Sequence, residues 1–308
     1  VGLSSYRGLP RQPDNKDNST TRQQRQPDRM SLNTRIKDFY DASTPLWLNT
    51  WGEQMHHGYY GPNGKRKVGN QKAQIDMIEA MLEWGQAPTK IGSFLDAGCG
   101  VGGSSRYLAL KYPTAMGIGV TLSPVQALNG MRFNEEAGVG DRLAIRAQDV
   151  YTLNEEDGPF DLIWSMESAE HMEDKTALMD LFYRLLRPGG QLIMATWCHR
   201  PEPPALTKND RRVLGKICEL YHLPPLVSIP VLGDAAKRVG FTNLATDDWS
   251  AAVEPFWGAV ISSGLDPRNW PGLIRAGAST IKGAWAMKYM KEGFRTGAIR
   301  YGVLRANK

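Results

Sequence analysis

An α/β fold built on a doubly wound, mostly parallel sheet is predicted from three features of this 308-residue chain. An apolar run, Phe94-Leu95-Asp96-Ala97, empties into the turn Gly98-Cys99-Gly100-Val101-Gly102-Gly103, and the residues that follow read as a helix. The same strand, turn and helix rhythm repeats over roughly residues 90–200, which calls for right-handed crossovers between parallel strands. Polar and titratable residues collect just after these strands, where open parallel sheets bind ligands.

The first strand and its turn carry the most chemistry. Glycines 98, 100 and 102 permit a sharp bend and a close backbone approach that a Cβ would block, and the next helix opens with unpaired N–H groups. That combination marks a nucleoside-cofactor site. A dinucleotide fingerprint places its first glycine directly after the strand, with an acid about 20 residues on, whereas here Asp96 precedes the glycines. An acid there repels a pyrophosphate and suits a cofactor that is cationic at that point. S-adenosyl-L-methionine, with its sulfonium and ammonium groups, meets the requirement. Cys99, inside the turn, reads as a small residue rather than a nucleophile.

A second strand is expected over residues 116–122. Thr121 stands where an acid commonly holds ribose hydroxyls, so that contact falls to Thr121, Leu122 and Ser123, with Gln126 in reach. Ser123-Pro124 also reads as a helix cap and first position. The third strand, Leu143–Ala147, leads to Gln148-Asp149; Asp149 can accept from an adenine amine and Val150 can pack on the base. The fourth, Phe160–Met166, brings Met166 and Glu167 to the cofactor and runs into Ser168-Ala169-Glu170-His171-Met172. A helix over residues 175–186 meets a stop signal at Arg187-Pro188-Gly189-Gly190, and a fifth strand, residues 191–197, opens into Cys198-His199-Arg200.

Outside this core, residues 1–29 are polar and lack hydrophobic periodicity, so a disordered arm, appended or for targeting, is expected, with Met30 a candidate native start. Residues 30–88 form an N-terminal helical flap, residues 89–200 the cofactor-binding core, and residues 201–308 the end of the sheet and a helical lid. Residues 32–40 have helical spacing that presents Tyr40 near the end, and the aromatic stretch from Leu46 to Tyr60 needs a surface to cover. Flap and lid are expected to enclose a large apolar pocket, with Trp51, His56, His57, Tyr60, Trp197 and Trp257 facing the acceptor. His56 and His57 point to opposite sides of an extended chain, against a shared metal.

Composition narrows the function classes. No apolar run reaches the ~20 residues needed to span a bilayer. Cys99, Cys198 and Cys218 lack metal spacing and fit a reducing compartment, cytoplasm or plastid. The net charge of +5 is concentrated near the C-terminus, where Arg268, Arg275, Lys282, Lys288, Lys291, Arg295, Arg300, Arg305 and Lys308 alternate with Trp270, Ile274, Ile281, Trp285 and Phe294. This pattern is that of a helix lying on an anionic membrane, or of a solvated face over core aromatics. Without a reading module, nucleic acid is not an expected partner. The oligomeric state is left open.

The segments Phe39-Tyr40-Asp41, Trp51-Gly52-Glu53, Met55-His56-His57-Gly58-Tyr59-Tyr60, Asp96-Ala97-Gly98-Cys99-Gly100, Thr121-Leu122-Ser123-Pro124-Val125-Gln126, Trp164-Ser165-Met166-Glu167-Ser168 and Thr196-Trp197-Cys198-His199-Arg200 resemble those of the gamma-tocopherol C-methyltransferases. The likeness extends from about Leu32 to the C-terminus. It implies a seven-stranded class I methyltransferase sheet, S-adenosyl-L-methionine as donor with S-adenosyl-L-homocysteine as product, no metal, and a prenylated or phytylated phenol as the hydrophobic acceptor. The group also contains enzymes acting on alkaloid nitrogens. Ala169 departs from the usual glycine before Glu170-His171-Met172, and residues 201–209 and the Trp270 region are individual.

Sulfonium methyl transfer is an in-line displacement that needs positioning and water exclusion above all. Ring carbon methylation also gains from removal of the phenolic proton, a task for a histidine near neutral pKa. His171 is the leading candidate base, paired with Tyr40; His199 is the second candidate, and Glu170 the orienting acid. An alkaloid or terpenoid acceptor and a non-catalytic cofactor-binding module are the rival readings.

Overall fold

The computed structural model describes residues 19–265 and 278–308. Along the chain run α1 (Ser19–Trp51), α2 (Asn70–Gly85), β1 (Ser93–Ala97), α3 (Gly103–Lys111), β2 (Met116–Thr121), α4 (Pro124–Glu136), β3 (Leu143–Ala147), β4 (Phe160–Met166), α5 (Lys175–Leu185), β5 (Leu186–His199), α6 (Lys208–Tyr221), α7 (Ile229–Val239), β6 (Thr242–Asp248), α8 (Ser250–Val253), α9 (Pro255–Leu265), α10 (Ala278–Thr296) and β7 (Ile299–Asn307). The seven strands form one sheet in the order β3-β2-β1-β4-β5-β7-β6. Strands β1 to β5 pair in parallel and β7 is antiparallel to both neighbours, completing the class I methyltransferase sheet.

Central strands covered on both faces should be apolar throughout, and every residue of β4 is buried. The period of two then sorts side chains between two cores. Phe94, Leu162 and Ile193 face Met77 of α2 and the C-terminal helices; Leu95, Ile163 and Leu192 face Leu178 and Phe182 of α5 and Leu232 of α7. The strand order reverses at β1, between β2 and β4, and that reversal sets the position of the crevice described below.

Two boundaries differ from the sequence reading. α1 begins at Ser19, inside the segment expected to be disordered, because Gln23, Gln24, Arg25, Gln26 and Arg29 are good helix formers despite their polarity. β5 begins at Leu186 and runs through the Arg187-Pro188-Gly189-Gly190 stop signal, with an irregular register against β4 and Gly189 at φ 77°. The breaker residues end α5 as expected, but the chain continues as strand.

The basic C-terminal pattern is partly used by the fold itself. Arg300 pairs with Asp248 at 3.3 Å, Arg305 lies over the Trp84 ring, and Lys308 Nζ donates to the Leu186 carbonyl at 2.7 Å. On α10, Met290 is buried and Phe294 packs on the core, while Lys288, Lys291 and Arg295 are exposed. Arg268, Trp270, Ile274 and Arg275, with the side chains of Ile281, Lys282 and Trp285, lie outside the described residues. No described helix is long and apolar enough to cross a membrane.

Candidate active site

The crevice at the carboxyl ends of β1 and β4 opens into a cavity of about 1060 Å³, mouth included. Asp96 lies at its floor, buried, and accepts a 2.6 Å hydrogen bond from Ser105 Oγ of α3. Burial raises the Asp96 carboxyl to about 7, against the lowering effect of Ser105. Among the described residues no cation pairs with it, so the site presents a buried acid without a countercharge. The turn that follows holds Gly98, Gly100 and Gly102 at φ 90, 58 and 76°, which only glycine adopts without strain. At Gly98 the need is also internal: an added Cβ would lie 2.2 Å from Ser168 Cβ, so this glycine lets the loop after β4 close onto the turn.

Cys99, Thr121, Leu122, Ser123, Gln126, Asp149, Val150, Met166 and Glu167 line the cavity with Asp96, Gly98 and Gly100. Gly102 does not; Gly103 and Ser104, at the start of α3, do. Thr121 Oγ1 donates to Gln126 Oε1 at 2.6 Å, and Ser123 Oγ caps α4 by accepting from Gln126 N at 3.0 Å. Asp149 caps the short turn Val150–Thr152 by accepting from Tyr151 N. A site formed at strand ends thus has its polar groups oriented before any ligand arrives.

α1 closes one side of the cavity and is latched to three strand ends. Asn33 Nδ2 donates to Asp149 at 2.8 Å, Tyr40 Oη lies 2.9 Å from His171 Nε2, and Asp41 accepts from Ser123 Oγ. Spacings of seven and eight residues put all three on one helix face. Beyond α1, Glu53 accepts from Arg106 Nε at 2.9 Å and Nη2 at 2.5 Å, holding Gln54 and Met55 against the cavity. Glu53→Ala is expected to cost about 1–2 kcal/mol of stability in a thermal melt, since the bond is charge-assisted but Glu53 is half-exposed. The same variant should weaken cofactor binding.

The expected base sits where sequence placed it, but its electrostatics differ. Burial first, then Lys175 and His222, push His171 down to about 3 instead of leaving it near neutral, so the ring is uncharged. Its Nδ1, a buried atom, has no hydrogen-bond partner among the described residues. Burial drives the Tyr40 phenol far above its usual value, with the charges of Glu170 and Glu167 adding to it. Glu170 is buried, accepts from Thr196 Oγ1 at 2.6 Å and does not line the cavity. Burial, then Glu167, raise it to about 8. Lys175, missed in the sequence reading, donates to the Ala169 carbonyl at 2.6 Å and to that of Met172, tying down the turn that carries His171.

Several expected contacts are not made. His199 lines a separate cavity and its Nδ1 bonds to the Arg200 carbonyl at 2.6 Å, because β5 ends beyond the edge of the cofactor crevice. Of the six expected acceptor side chains, only His56 lines the cofactor cavity. His57 turns the other way, into a ring cluster with Trp197, Phe256, Trp257 and Tyr301, and its N and Nδ1 both bond to Glu167 at 2.7 Å. Trp51 stacks on Trp47, and Tyr60 Oη bonds to Asn70. These rings are core: a large aromatic side chain satisfies burial in a protein interior as readily as in a pocket. Glu167, at φ 52°, also accepts from Tyr301 Oη at 2.8 Å and Trp197 Nε1 at 3.3 Å, so it braces the flap as well as lining the cavity. Burial opposes its ionisation, but His57 and His56 outweigh that and hold it below the usual range. Among the described residues no group of three or more His, Cys, Asp or Glu is placed to hold a metal.

Comparison with known proteins agrees with this geometry. The methyltransferase domain family matches residues 95–194, the segment from β1 to β5. A rice protein named probable tocopherol O-methyltransferase, chloroplastic, is 40% identical over 281 residues, covering 89% of this chain and 77% of its own. The Arabidopsis thaliana tocopherol O-methyltransferase, chloroplastic, is 38% identical, covering 90% of this chain and 83% of its own. The crystal structure of geranyl diphosphate C-methyltransferase from Streptomyces coelicolor A3(2) shares the fold, with a TM-score of 0.72 at 20% identity over 90% of this chain and 97% of that one. With identity at this level over 89% and 90% of its length, the chain belongs to the tocopherol methyltransferase family and is an S-adenosyl-L-methionine-dependent methyltransferase.

Proposed function

We propose that the acceptor is a phenol bearing a prenyl or phytyl tail, such as gamma-tocopherol, and that the methyl group goes to a ring carbon. The observation that carries this reading is the Tyr40 and His171 pair on the cavity wall, with His171 Nδ1 left unpartnered. The rice and Arabidopsis relatives are named tocopherol O-methyltransferases, which supports a tocopherol acceptor; the ring carbon rests on the Tyr40 and His171 pair alone.

When bound, the cofactor supplies an electrophilic methyl on its sulfonium. Asp96, a buried acid without a countercharge, suits the cofactor's cationic part; Thr121, Ser123 and Gln126 suit its ribose, and Asp149 and Val150 its base. Met55 and the latched face of α1 exclude water. In the tautomer whose Nε2–H donates to Tyr40 Oη, the lone pair on His171 Nδ1 takes the phenolic proton once the acceptor displaces the side chains that bury it. That proton loss raises electron density at the ring carbons ortho and para to the oxygen; the carbon that takes the methyl as the donor's carbon–sulfur bond breaks then releases its own C–H proton to solvent, and the oxygen recovers the proton held on His171. The phenolate places a negative charge next to the His171 ring and so favours the imidazolium. Glu170 is a positioning residue that fixes the turn through Thr196. A matching phenol whose hydroxyl is capped as a methyl ether should not be turned over; equal turnover of phenol and ether would remove the proton-transfer role.

The pH dependence follows from Asp96. Its folded pKa, about 7, lies above the ordinary 3.8, so the folded apo-protein holds a proton that the unfolded chain releases. The Asp96 contribution to stability should therefore fall as pH rises from about 4 through about 7, with Glu170 adding to the fall and His171, neutral in the fold but protonated in the unfolded chain up to about 6.5, opposing it, so the difference between parent and Asp96→Asn melts isolates the Asp96 part. Affinity for the cationic cofactor should rise over the upper part of that window as the carboxylate forms. Titration calorimetry at several pH values checks this, and Asp96→Asn should bind weakly with a flattened slope.

We assign the enzyme to a plastid, on the chloroplastic relatives, with the exposed Lys288, Lys291 and Arg295 of α10 meeting an anionic membrane that holds the acceptor.

A further inference from the structure

Next to the cofactor cavity lies a second, open cavity of about 1220 Å³, bounded by α1, the end of β5, α6 and the loop after α6. Leu206, Leu214, Leu223 and Leu226 give it apolar walls, with Arg35 and Arg211 exposed at its rim. Leu32 of α1 borders both cavities. Tyr40 and His171 on the wall of the first cavity meet at 5.5 Å, and Phe39, beside Tyr40, meets Tyr221 and His222 edge-on at 6.2 and 6.0 Å, His222 lining the second cavity.

One wall residue does not belong there on packing grounds. Gly215 lies in the interior of α6, where glycine weakens a helix relative to alanine. Gly85 and Gly293, in α2 and α10, are glycines because a Cβ would strike Ile193 or Ile299; at Gly215 a Cβ would meet nothing within 4 Å. No neighbour requires the glycine. Gly215 is exposed on the cavity lining, and a side chain there would extend into the open space it borders.

We propose that this second cavity takes the branched hydrocarbon tail of the acceptor while the phenolic ring lies at Tyr40 and His171. The proposal rests on the phenol reading above and adds to it where the tail goes: not the ring cluster around His57, which is filled core, but the α1 and α6 side. The tail contributes only apolar contact, so it should be read by length and bulk, with no hydrogen bond to satisfy.

The test is Gly215→Phe, with Gly215→Leu as a second, smaller filling variant and Gly215→Ala as the control. Each should melt no lower than the parent. For gamma-tocopherol, Gly215→Phe should raise KM by about tenfold or more, the loss of several buried methylenes. A chromanol with the same ring but no long tail should be turned over unchanged. Phytol, used as a tail-only probe with S-adenosyl-L-homocysteine present, should raise the melting temperature of the parent and not that of Gly215→Phe. If tailed and tail-less phenols respond alike to Gly215→Phe and Gly215→Leu, and phytol stabilises parent and variant equally, the cavity assignment is wrong although the phenol reading stands. If no phenol is methylated yet phytol binds in a manner lost in Gly215→Phe, the cavity assignment stands and the phenol reading falls.

Discussion

Gly98→Ala is expected to abolish cofactor binding and to destabilise the fold by about 2–5 kcal/mol, the sum of a strained backbone and an overpacked contact. Two independent causes act together. The residue sits at φ 90°, and the new methyl group would lie 2.2 Å from Ser168 Cβ. Relief requires the loop after β4 to lift, and that loop carries both His171 and the Lys175 anchor. Calorimetric titration with S-adenosyl-L-homocysteine and a thermal melt measure the two effects separately. A variant with parental affinity would show that the loop and the turn move independently.

His171→Ala is expected to lower kcat on a phenolic acceptor by about 10²–10⁴-fold, the usual contribution of a positioned base. Donor affinity should change little, since the proposed partners of the cofactor's polar groups are Asp96, Thr121 and Asp149. Tyr40→Phe should cost less, about tenfold, because it removes one hydrogen bond and leaves the imidazole in place. The pair should be non-additive, because Tyr40 acts by holding the His171 ring and tautomer. Steady-state kinetics on both single variants and the double variant provide the cycle. Full additivity would show that Tyr40 meets the acceptor on its own account.

The strands of the cofactor half were legible because burial on both faces writes a nearly continuous apolar run, and the first five were placed within a residue or two at their carboxyl ends. The start of β5 was not, since Pro188 and Gly189 end a helix without preventing a following strand. The glycine turn and Asp96 were legible from spacing. The meeting of Tyr40 with His171 followed from treating the first helix as a flap, yet Asn33 and Asp41 lie on the same helix face and that periodicity could have found them. What the residues could not reveal was the direction of each aromatic ring. Trp197 and Trp257 sit at the expected ends of their elements, but Glu167, turned by its positive φ, draws His57 into a filled cluster and leaves no room there for a substrate. The low proton affinity of His171 was equally hidden, since it depends on burial and on a lysine four residues on that has turned back to cap the loop.

The most direct measurement is methyl transfer from labelled S-adenosyl-L-methionine to gamma-tocopherol, a phytylquinol, an indole alkaloid amine and a prenyl diphosphate, with the label located by mass spectrometry. Label on a ring carbon of the tailed phenols is the predicted result. Label confined to the amine or the diphosphate, or found on the phenolic oxygen, would contradict it.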